Sequence, residues 1–369
     1  MLDPTLSRAR QQRLMNVMME RRLDAVVVGL PHHVYYFSSH LTDWKHASAF
    51  VLMSDGRAVL VSANKPNEKA AADEPLSFEA NWHSTLRQEQ PATVAAVVMR
   101  RLEEAGRRYL KVGIDSSAVT SQFALQHTSG TIESIDAHLW QMRRKKDADE
   151  LQLLRTAITA TEAMYATARS IIEPGLPELD LFNALHAAAV KLTGEPLGGM
   201  LGNDYACGVG GGPARKDHVA QAGQLWVLDL GPNYRGYFAD NSRVFAVDRK
   251  PTDVQLKAHA AVVGALAIVE RMAKPGAKGR EIYTAVDDHM KSAGYSGMTH
   301  HLGHGIGLQP HEYPHLNPKW DDTLLEGEVF TAEPGLYGGG INGGIRIEND
   351  YLVTSDGVQN LLNFSTDLV

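Results

Sequence analysis

Gly223-Gln-Leu-Trp-Val-Leu-Asp229-Leu-Gly231 is one of two matching stretches in this chain, and Gly327-Glu-Val-Phe-Thr-Ala-Glu333-Pro-Gly335 is the other. In each, an acid lies six residues after a glycine, and a second acid, Asp240 or Glu348, lies four residues after a later glycine. Both stretches are apolar up to the first acid, which predicts a strand with a carboxylate where water is scarce. Because buried charges are very costly unless they are neutralised, the repeat predicts a metal site.

The two acids of each pair flank a turn. Facing strands of a hairpin bring side chains on one face within about 5 Å of each other, so we expect Asp229 and Asp240 to share an ion. Glu333 and Glu348 repeat this arrangement around a glycine-rich loop at 338–344. We therefore expect four carboxylate ligands on a C-terminal domain with approximate internal two-fold symmetry.

A nitrogen ligand completes the set. His304 is the candidate, in the run Thr299-His-His-Leu-Gly-His-Gly-Ile-Gly-Leu308. Imidazole and carboxylate ligands without a thiolate favour Mn²⁺, Co²⁺, Fe²⁺ or Zn²⁺ over Ca²⁺. Four carboxylates allow two ions about 3.5–4 Å apart, bridged by a water that is nucleophilic near neutral pH. The pattern indicates metal-assisted hydrolysis. The clustering around His304 favours functional roles for His300 and His311, and leaves His301 open between a functional and a structural role.

Composition limits the class of protein and its partners. The chain has 369 residues, 44% hydrophobic and 21% charged, as expected for a soluble globular protein with two domains. A net charge of −7 argues against nucleic acid as a partner, and no apolar run is long enough to span a membrane. The first 23 residues lack the apolar core of a secretory signal, and Cys207 is the only cysteine, so we expect a cytoplasmic protein.

The order of predicted elements indicates an α/β (α+β) fold with two domains. An apolar strand at 25–30 and a hairpin that turns at Asp55-Gly56 predict a small N-terminal α/β domain over residues 1–142. The C-terminal domain, residues 143–369, carries the acid-bearing strand pairs. We interpret the basic run Arg143-Arg-Lys-Lys146 between them as a solvated link. Apolar periodicity predicts helices at 6–22, 92–106, 148–172, 177–193, 252–273 and 279–293.

The ordered set of five ligand candidates resembles that of the pita-bread metallopeptidases, which include methionine aminopeptidase, aminopeptidase P and prolidase. The resemblance covers nearly the whole chain, because an N-terminal α/β domain is the mark of the prolidase, aminopeptidase P and creatinase branch. It implies a creatinase-like N-terminal domain followed by a pita-bread catalytic domain. The motifs that carry it are Leu228-Asp-Leu-Gly231, His304-Gly-Ile-Gly-Leu-Gln-Pro-His-Glu312, Glu333-Pro-Gly-Leu-Tyr337 and Ile345-Arg-Ile-Glu348.

The resemblance implies a role for each matching residue. Glu333 would orient or deprotonate the bridging water, and Arg346 would brace the metal-bound acids. His300 and His311 would contact the substrate and stabilise the tetrahedral intermediate. The implied activity is that of a Xaa-Pro peptidase acting on a small peptide, and the implied assembly is a homodimer. Two divalent metal ions, Mn²⁺ or Co²⁺ in preference to Zn²⁺ or Fe²⁺, would be held by Asp229, Asp240, His304, Glu333 and Glu348.

Two positions depart from the family pattern. Peptidases of this branch usually carry a histidine seventeen residues before the first aspartate ligand, where this chain has Gly212. Many bacterial prolidases have an arginine after the proline of a His-Glu-x-Pro motif, where this chain has His315. These departures keep a second hypothesis open, a hydrolase of the same fold that acts on a non-peptide C–N bond in a small molecule. A third hypothesis is a catalytically inactive binding scaffold.

Overall fold

The computed structural model describes residues 1–106, 110–116, 120, 122–124, 130–198 and 202–369. The chain divides into two compact units, residues 1–143 and 144–369. Within the ranges given above, no helix is both long and apolar enough to cross a bilayer. The helices are α1 (Pro4–Arg21), α2 (Pro31–Ser38), α3 (Gln90–Glu104), α4 (Asp136–Arg144), α5 (Ala148–Ile171), α6 (Glu178–Thr193), α7 (Asp253–Met272) and α8 (Gly279–Ser292).

The first unit is built on one sheet of six strands. The strands of this unit are β1 (Ala25–Val28), β2 (Ala49–Met53), β3 (Ala58–Ala63), β4 (Glu74–Phe78), β5 (Asn81–Trp82), β6 (Thr85–Leu86), β7 (Leu110–Ile114) and β8 (Gly130–Ser134). The order in the six-stranded sheet is β4-β3-β2-β1-β7-β8. β2 pairs antiparallel with β1 and β3, whereas β4, β7 and β8 join in parallel. The hairpin expected at Asp55-Gly56 is present, and Gly56 has a φ of +88° that favours glycine.

Helices pack on both faces of this sheet. Val94 and Val98 of α3 belong to the apolar cluster on one face. On the other face, Phe37 of α2 stacks on Phe50 of β2 with ring centroids 5.8 Å apart. Because both faces are covered, β1 is buried at every position and reads as a continuous apolar run.

The second unit contains two helix pairs, each followed by acid-bearing strands. α5 and α7, the first helices of the two pairs, begin with the same kind of cap. Glu150 accepts a hydrogen bond from the Asp147 N–H at 2.9 Å, and Gln255 accepts one from the Thr252 N–H at 2.8 Å. α5 and α6 cover one core cluster, which includes Trp226, and α7 and α8 cover another. Each half of this unit therefore repeats the order of helix pair and strands.

The strands of the two halves form separate sheets that meet beside the acids. The strands are β9 (Gly202–Asp204), β10 (Leu225–Leu230), β11 (Asn233–Tyr234), β12 (Tyr237–Phe238), β13 (Asn241–Ala246), β14 (Gly303–Gly305), β15 (Glu312–Leu316), β16 (Val329–Ala332), β17 (Gly335–Gly338), β18 (Gly343–Arg346), β19 (Asn349–Val353) and β20 (Val358–Asn360). One sheet has the order β13-β10-β9 and the other β15-β14-β16-β19-β20, while β11–β12 and β17–β18 are short hairpins. The sheets are joined where the N–H of Glu348 donates to the carbonyl of Ser242 at 3.0 Å.

The basic run at 143–146 is not a solvated link. Arg143, Arg144 and Lys146 are each less than a tenth exposed. Arg144 donates to the buried carboxylate of Glu328 and to the Thr323 carbonyl, the latter at 2.7 Å. Glu328 lies far along the chain from Arg144. The local sequence therefore shows the charges of the basic run but does not identify the acid that pairs with Arg144.

Candidate metal centre

The first pair of carboxylates lies at one end of a strand pair. Asp229 is the last residue but one of β10, and Asp240 directly precedes β13. Leu230 faces Asn241 in the antiparallel ladder, so both acids lie at the same end of the two strands. Ligand oxygens of the two aspartates and of Glu348 all lie within 4.8 Å of one another. The first acid pair and one member of the second therefore form one cluster.

The second pair lies at a junction between two ladders. β16 pairs with β19, and β17 pairs with β18. Glu333 follows β16 and precedes β17, while Glu348 lies between β18 and β19. At each of these acids the chain passes from one strand pair to the other. The glycine-rich loop at 338–344 closes the far end of the β17–β18 hairpin.

His304 is held in the middle of β14, where space is tight on both sides. A Cβ atom on Gly303 would overlap the carbonyl oxygen of Thr331, and one on Gly305 would overlap the carbonyl oxygen of Tyr313. The two glycines therefore allow β14 to lie between β15 and β16. The Gly-His-Gly sequence is explained by this close approach.

All five predicted ligands converge on one site. The Nε2 of His304 lies 3.7 Å from Oδ2 of Asp240 and 3.7 Å from Oε1 of Glu333. Ligand atoms of His304, Glu333 and Glu348 lie within 4.8 Å of one another. The five residues line a cavity of about 190 Å³ together with Asn203, Asp204, His301, His311 and Arg346.

Several carboxylate oxygens of this cluster are buried without a partner. Among the described residues, one oxygen of Asp229, one of Asp240 and both of Glu348 lack a hydrogen-bond partner. Burial, and then repulsion between the acids, raises the pKa of Asp240 and of Glu348 well above its usual value. Burial also raises the pKa of Asp229, against the effect of Arg346. Such a cluster is unfavourable on its own, so its donor set fits divalent cations.

The predicted nitrogen ligand is a neutral imidazole. Burial, and then the nearby His311, lowers the pKa of His304 to about 3. Its Nδ1 lies 3.1 Å from the carbonyl oxygen of Gly305 and must donate, because a carbonyl only accepts. The Nε2 lone pair therefore faces the acids, as metal binding requires. His311 stacks on His304, with ring centroids 3.7 Å apart, and lies at the cavity wall.

Arg346 contacts the acids from one side. Its Nη2 donates to Oδ2 of Asp229 at 2.7 Å and to the carboxylate of Asp204, and its Nη1 donates to the Tyr337 hydroxyl at 3.1 Å. Asp204, which the sequence reading did not single out, also accepts from the Gly212 N–H. It reaches the site because β9 pairs with β10, and no local pattern marks that pairing.

The adjacent histidines at 300 and 301 lie in different surroundings. His301 lines the cavity, and its Nε2 lies 2.6 Å from Oε1 of Glu333. His300, to which the resemblance assigns substrate contact, bonds to the Tyr337 hydroxyl through Nε2 at 2.9 Å. The hydrogen bond that His301 donates to the Glu333 carboxylate raises the pKa of His301. Burial acts to raise the pKa of Glu333, but the hydrogen bond from His301 and then the charge of His301 lower it.

The two positions that depart from the family pattern are held by contacts of their own. Gly212 has a φ of +100°, and its carbonyl oxygen accepts from the Tyr205 N–H at 2.8 Å, so it is part of a tight loop. The Nδ1 of His315 lies 2.8 Å from Oδ2 of Asp322, and its ring stacks on Trp320. Within the described part of the chain, neither residue lines the cavity of the predicted ligands.

A buried arginine that the sequence reading missed holds the junction of the two sheets. Arg243 donates through Nη1 to the carbonyls of Ser242 and Glu348, both at 2.8 Å. Its Nη2 donates to the side-chain oxygen of Asn349 at 2.8 Å, and the Asn349 amide donates to the Tyr351 hydroxyl at 3.0 Å. The amide at 349 suits this position because it accepts on one side and donates on the other.

Comparison with known proteins finds a match for each unit. Residues 152–355 match the model of metallopeptidase family M24, which covers more than half of the chain. Residues 10–144 match the Creatinase/Prolidase N-terminal domain. The resemblance inferred from the ligand motifs is therefore confirmed.

Similar curated proteins are peptidases of about the same length. The uncharacterized peptidase YqhT of Bacillus subtilis is 25% identical over 364 residues, which cover 97% of this chain and 99% of the relative. An uncharacterized peptidase of Staphylococcus aureus is 26% identical over 354 residues, which cover 93% of this chain and 96% of the relative. The similarity thus extends over nearly the full length of both relatives.

Solved structures share the fold. The X-Pro aminopeptidase from Thermotoga maritima has a TM-score of 0.81 at 23% identity, covering 97% of this chain and 98% of that chain. The Xaa-Pro dipeptidase from Bacillus anthracis has a TM-score of 0.81 at 24% identity, covering 100% and 99%. They confirm the predicted α/β fold, with its small N-terminal domain and pita-bread C-terminal domain. With fold and family match in agreement, this chain belongs to metallopeptidase family M24.

Proposed function

We propose that the protein is a Xaa-Pro peptidase, of the prolidase or aminopeptidase P type, that hydrolyses the bond before proline in a small peptide. The observation that carries the proposal is the convergence of five ligands on one cavity with unpaired carboxylate oxygens. The fold shared with an X-Pro aminopeptidase and a Xaa-Pro dipeptidase supports the proline specificity.

We propose that two divalent metal ions bind at this centre. When bound, they would polarise the substrate carbonyl and make a nucleophilic water available near neutral pH. The carboxylate and imidazole donors favour Mn²⁺ or Co²⁺, with Zn²⁺ and Fe²⁺ as alternatives. Elemental analysis of the protein as purified identifies the ion and its stoichiometry. The residues that would hold the ions are Asp229, Asp240, His304, Glu333 and Glu348.

The chain's own side chains supply proton transfer and orientation. Glu333 is the proposed base, because it lies in the cavity with its carboxylate held at one oxygen by His301. His311 is the proposed substrate contact, because it lies at the cavity wall beside His304. Arg346 is the proposed brace, because its charge faces Asp229 directly.

A second cavity, next to the first, offers room for the substrate. It has a volume of about 340 Å³ and shares Asp204 and Arg346 with the cavity of the ligands. Its wall includes Val209, Val227 and the ring of Tyr337. A mostly apolar wall with one charged pair suits a small peptide that needs orientation at one end.

Assay of the metal-loaded protein on matched peptides tests this function. Xaa-Pro dipeptides, longer Xaa-Pro peptides and the same sequences with alanine in place of proline form the panel. We expect turnover of proline peptides only, and none by the ligand variant Asp240→Asn. If the Mn²⁺- or Co²⁺-loaded protein hydrolyses no proline peptide, the proposed function is wrong.

The geometry also favours a second candidate, hydrolysis of a C–N bond in a small molecule. Gly212 places no side chain at its position, and its φ of +100° would strain a histidine there. His315 is directed to Asp322. A panel of small amides assayed beside the peptides decides between the two candidates, since only the second predicts turnover of amides without proline. A protein that retains no metal and is inactive with every substrate would instead be the binding scaffold.

We further propose that the protein is a homodimer and cytoplasmic. The dimer is supported by the family resemblance, and the compartment by the single cysteine, Cys207. Light scattering on the eluted protein and fractionation of the source cells test these two proposals.

A further inference from the structure

One side chain at the metal centre has no role among those already proposed for the ligands and the base. His301 lines the cavity, with its ring centroid 5.3 Å from that of His304 and 5.5 Å from that of His311. Its Nε2 lies 2.6 Å from Oε1 of Glu333, and its side chain is 29% exposed. This short contact joins His301 to the carboxylate proposed both as ligand and as base.

The peptide that carries His301 is held in place by a chain of hydrogen bonds. Arg346 donates from Nη1 to the Tyr337 hydroxyl at 3.1 Å, so the hydroxyl proton is directed to Nε2 of His300 at 2.9 Å. The Nδ1 of His300 then donates to the carbonyl oxygen of His301 at 2.7 Å. These contacts satisfy one neutral tautomer of His300 and tie the backbone at 301 to Arg346.

The backbone of Glu333 is held by the same segment. Its N–H donates to the carbonyl oxygen of Leu302 at 2.7 Å. Residues 301 and 302 therefore hold Glu333 at two points, the main-chain nitrogen and Oε1. Oε1 also lies 3.7 Å from Nε2 of His304, whereas the second oxygen, Oε2, lies 3.9 Å from Nδ1 of His300, beyond hydrogen-bond distance.

We propose that His301 is a positioning residue that fixes the carboxylate of Glu333 in one rotamer, with Oε1 bonded to the imidazole of His301 and held beside Nε2 of His304. The consequence for turnover rests on the proposed peptidase function, whereas the consequence for metal binding does not. Removing a residue that hydrogen-bonds to a metal ligand typically lowers metal affinity or activity about 10- to 100-fold.

Three variants separate the hydrogen bond from the volume of the ring. His301→Phe keeps a ring of similar size without a donor, and His301→Gln keeps an N–H donor near the position of Nε2. The control is His289→Phe, which removes a partly buried histidine whose Nε2 bonds the Ala261 carbonyl at 3.0 Å, in the layer of α7 and α8. Two readouts apply to each variant: Mn²⁺ affinity of the metal-free protein by calorimetry, and kcat and KM on a proline dipeptide.

We expect His301→Phe to lose about 10- to 100-fold in Mn²⁺ affinity or in kcat, with KM for the dipeptide changed much less. His301→Gln should recover most of the loss, and His289→Phe should match the wild type. Wild-type affinity and kcat in His301→Phe would overturn the proposal, as would a loss of equal size in His301→Gln. If the wild type cleaves no proline peptide, the proposed function fails, and Mn²⁺ affinity alone then decides the role of His301.

Discussion

Two buried carboxylates of the second unit, Glu178 and Glu348, have opposite surroundings. Glu178 accepts from the N–H groups of Cys207 and Arg215, each at 2.7 Å, and from the Arg215 guanidinium at 2.5 Å. Although burial acts to raise the pKa of Glu178, these partners lower it. Glu348 is equally buried, but within the described residues neither of its oxygens has a partner, and its pKa is raised.

The difference teaches that burial of an acid does not by itself mark a functional site. The protein supplies hydrogen-bond donors to both oxygens of Glu178. Glu178 therefore links a loop to α6 without a bound cation. Both oxygens of Glu348 lack a hydrogen-bond partner in the described residues, so we propose that a cation neutralises this acid. Substitutions at these acids and a change of pH should therefore have different effects on metal binding and on stability.

Glu348→Gln should remove most of the activity. A bound ion contributes several kcal/mol of transition-state stabilisation, which corresponds to roughly 1,000-fold in kcat at about 1.4 kcal/mol per factor of ten. The metal content should fall as well, while the metal-free variant should unfold at the wild-type temperature or higher because an unpaired buried carboxylate is gone. Steady-state kinetics, elemental analysis and thermal unfolding measure these effects. Wild-type turnover in this variant would show that Glu348 holds no catalytic ion.

Glu178→Gln should act on stability and leave metal binding unchanged. The variant weakens charge-assisted hydrogen bonds to Arg215 and to two backbone groups, so we expect a loss of about 2–3 kcal/mol in the free energy of unfolding. Urea unfolding and the Mn²⁺ stoichiometry of the folded variant are the measurements. A variant as stable as the wild type, or one that has lost its metal, would remove the distinction between the two acids.

The metal-free protein should lose stability as the pH rises above about 4, the usual carboxylate pKa. Burial raises the pKa values of Asp240 and Glu348 in the folded state, so the folded chain binds more protons than the unfolded chain. Stability then falls with pH, by about 1.4 kcal/mol per unit for each such group, until the raised pKa is passed. Urea unfolding at several pH values with EDTA measures the slope. Saturating Mn²⁺ should abolish the slope, and a slope of the same sign and size with Mn²⁺ would contradict the assignment.

Asp350→Asn should have the smallest effect, because Asp350 is intermediate between the two kinds. One of its oxygens accepts from the Asn241 amide at 2.9 Å, while the other has no partner in the described ranges. Burial raises the pKa of Asp350 to about 7. We expect a change of about 1 kcal/mol in the free energy of unfolding, with a weaker pH dependence below pH 7 in the metal-free protein. A loss as large as that of Glu178→Gln would place Asp350 among the structural acids.

Much of the fold and the convergence of the five candidate ligands were predictable because their signals are local. The repeated glycine and acid spacing marks strand ends, and the predicted helix at 148–172 is observed as Ala148–Ile171. The flanking glycines of His304 reflect the close packing of β14. Patterns of this kind are visible in a single sequence because steric limits and burial constrain residues that are close together along the chain.

The remaining parts of the site depend on contacts between distant segments. Asp204 joins the site only through the pairing of β9 with β10, and Arg243 only through the junction of the two sheets. The sequence left His301 open, although its side chain is the one that reaches Glu333. On an irregular segment, the backbone angles decide in which direction each side chain points. Those angles cannot be read from the types of the residues.

The overlap that a Cβ at Gly303 or Gly305 would create has a consequence for how this chain tolerates mutation. In a saturation library selected for activity, both positions should accept almost no substitution, although neither glycine has a chemical role. The candidate ligand His304 should therefore keep its position as the sequence diverges, because displacement of β14 would require the two adjacent strands to move as well. An inactive descendant of this chain should carry its first tolerated changes at the acids, and only later at these glycines.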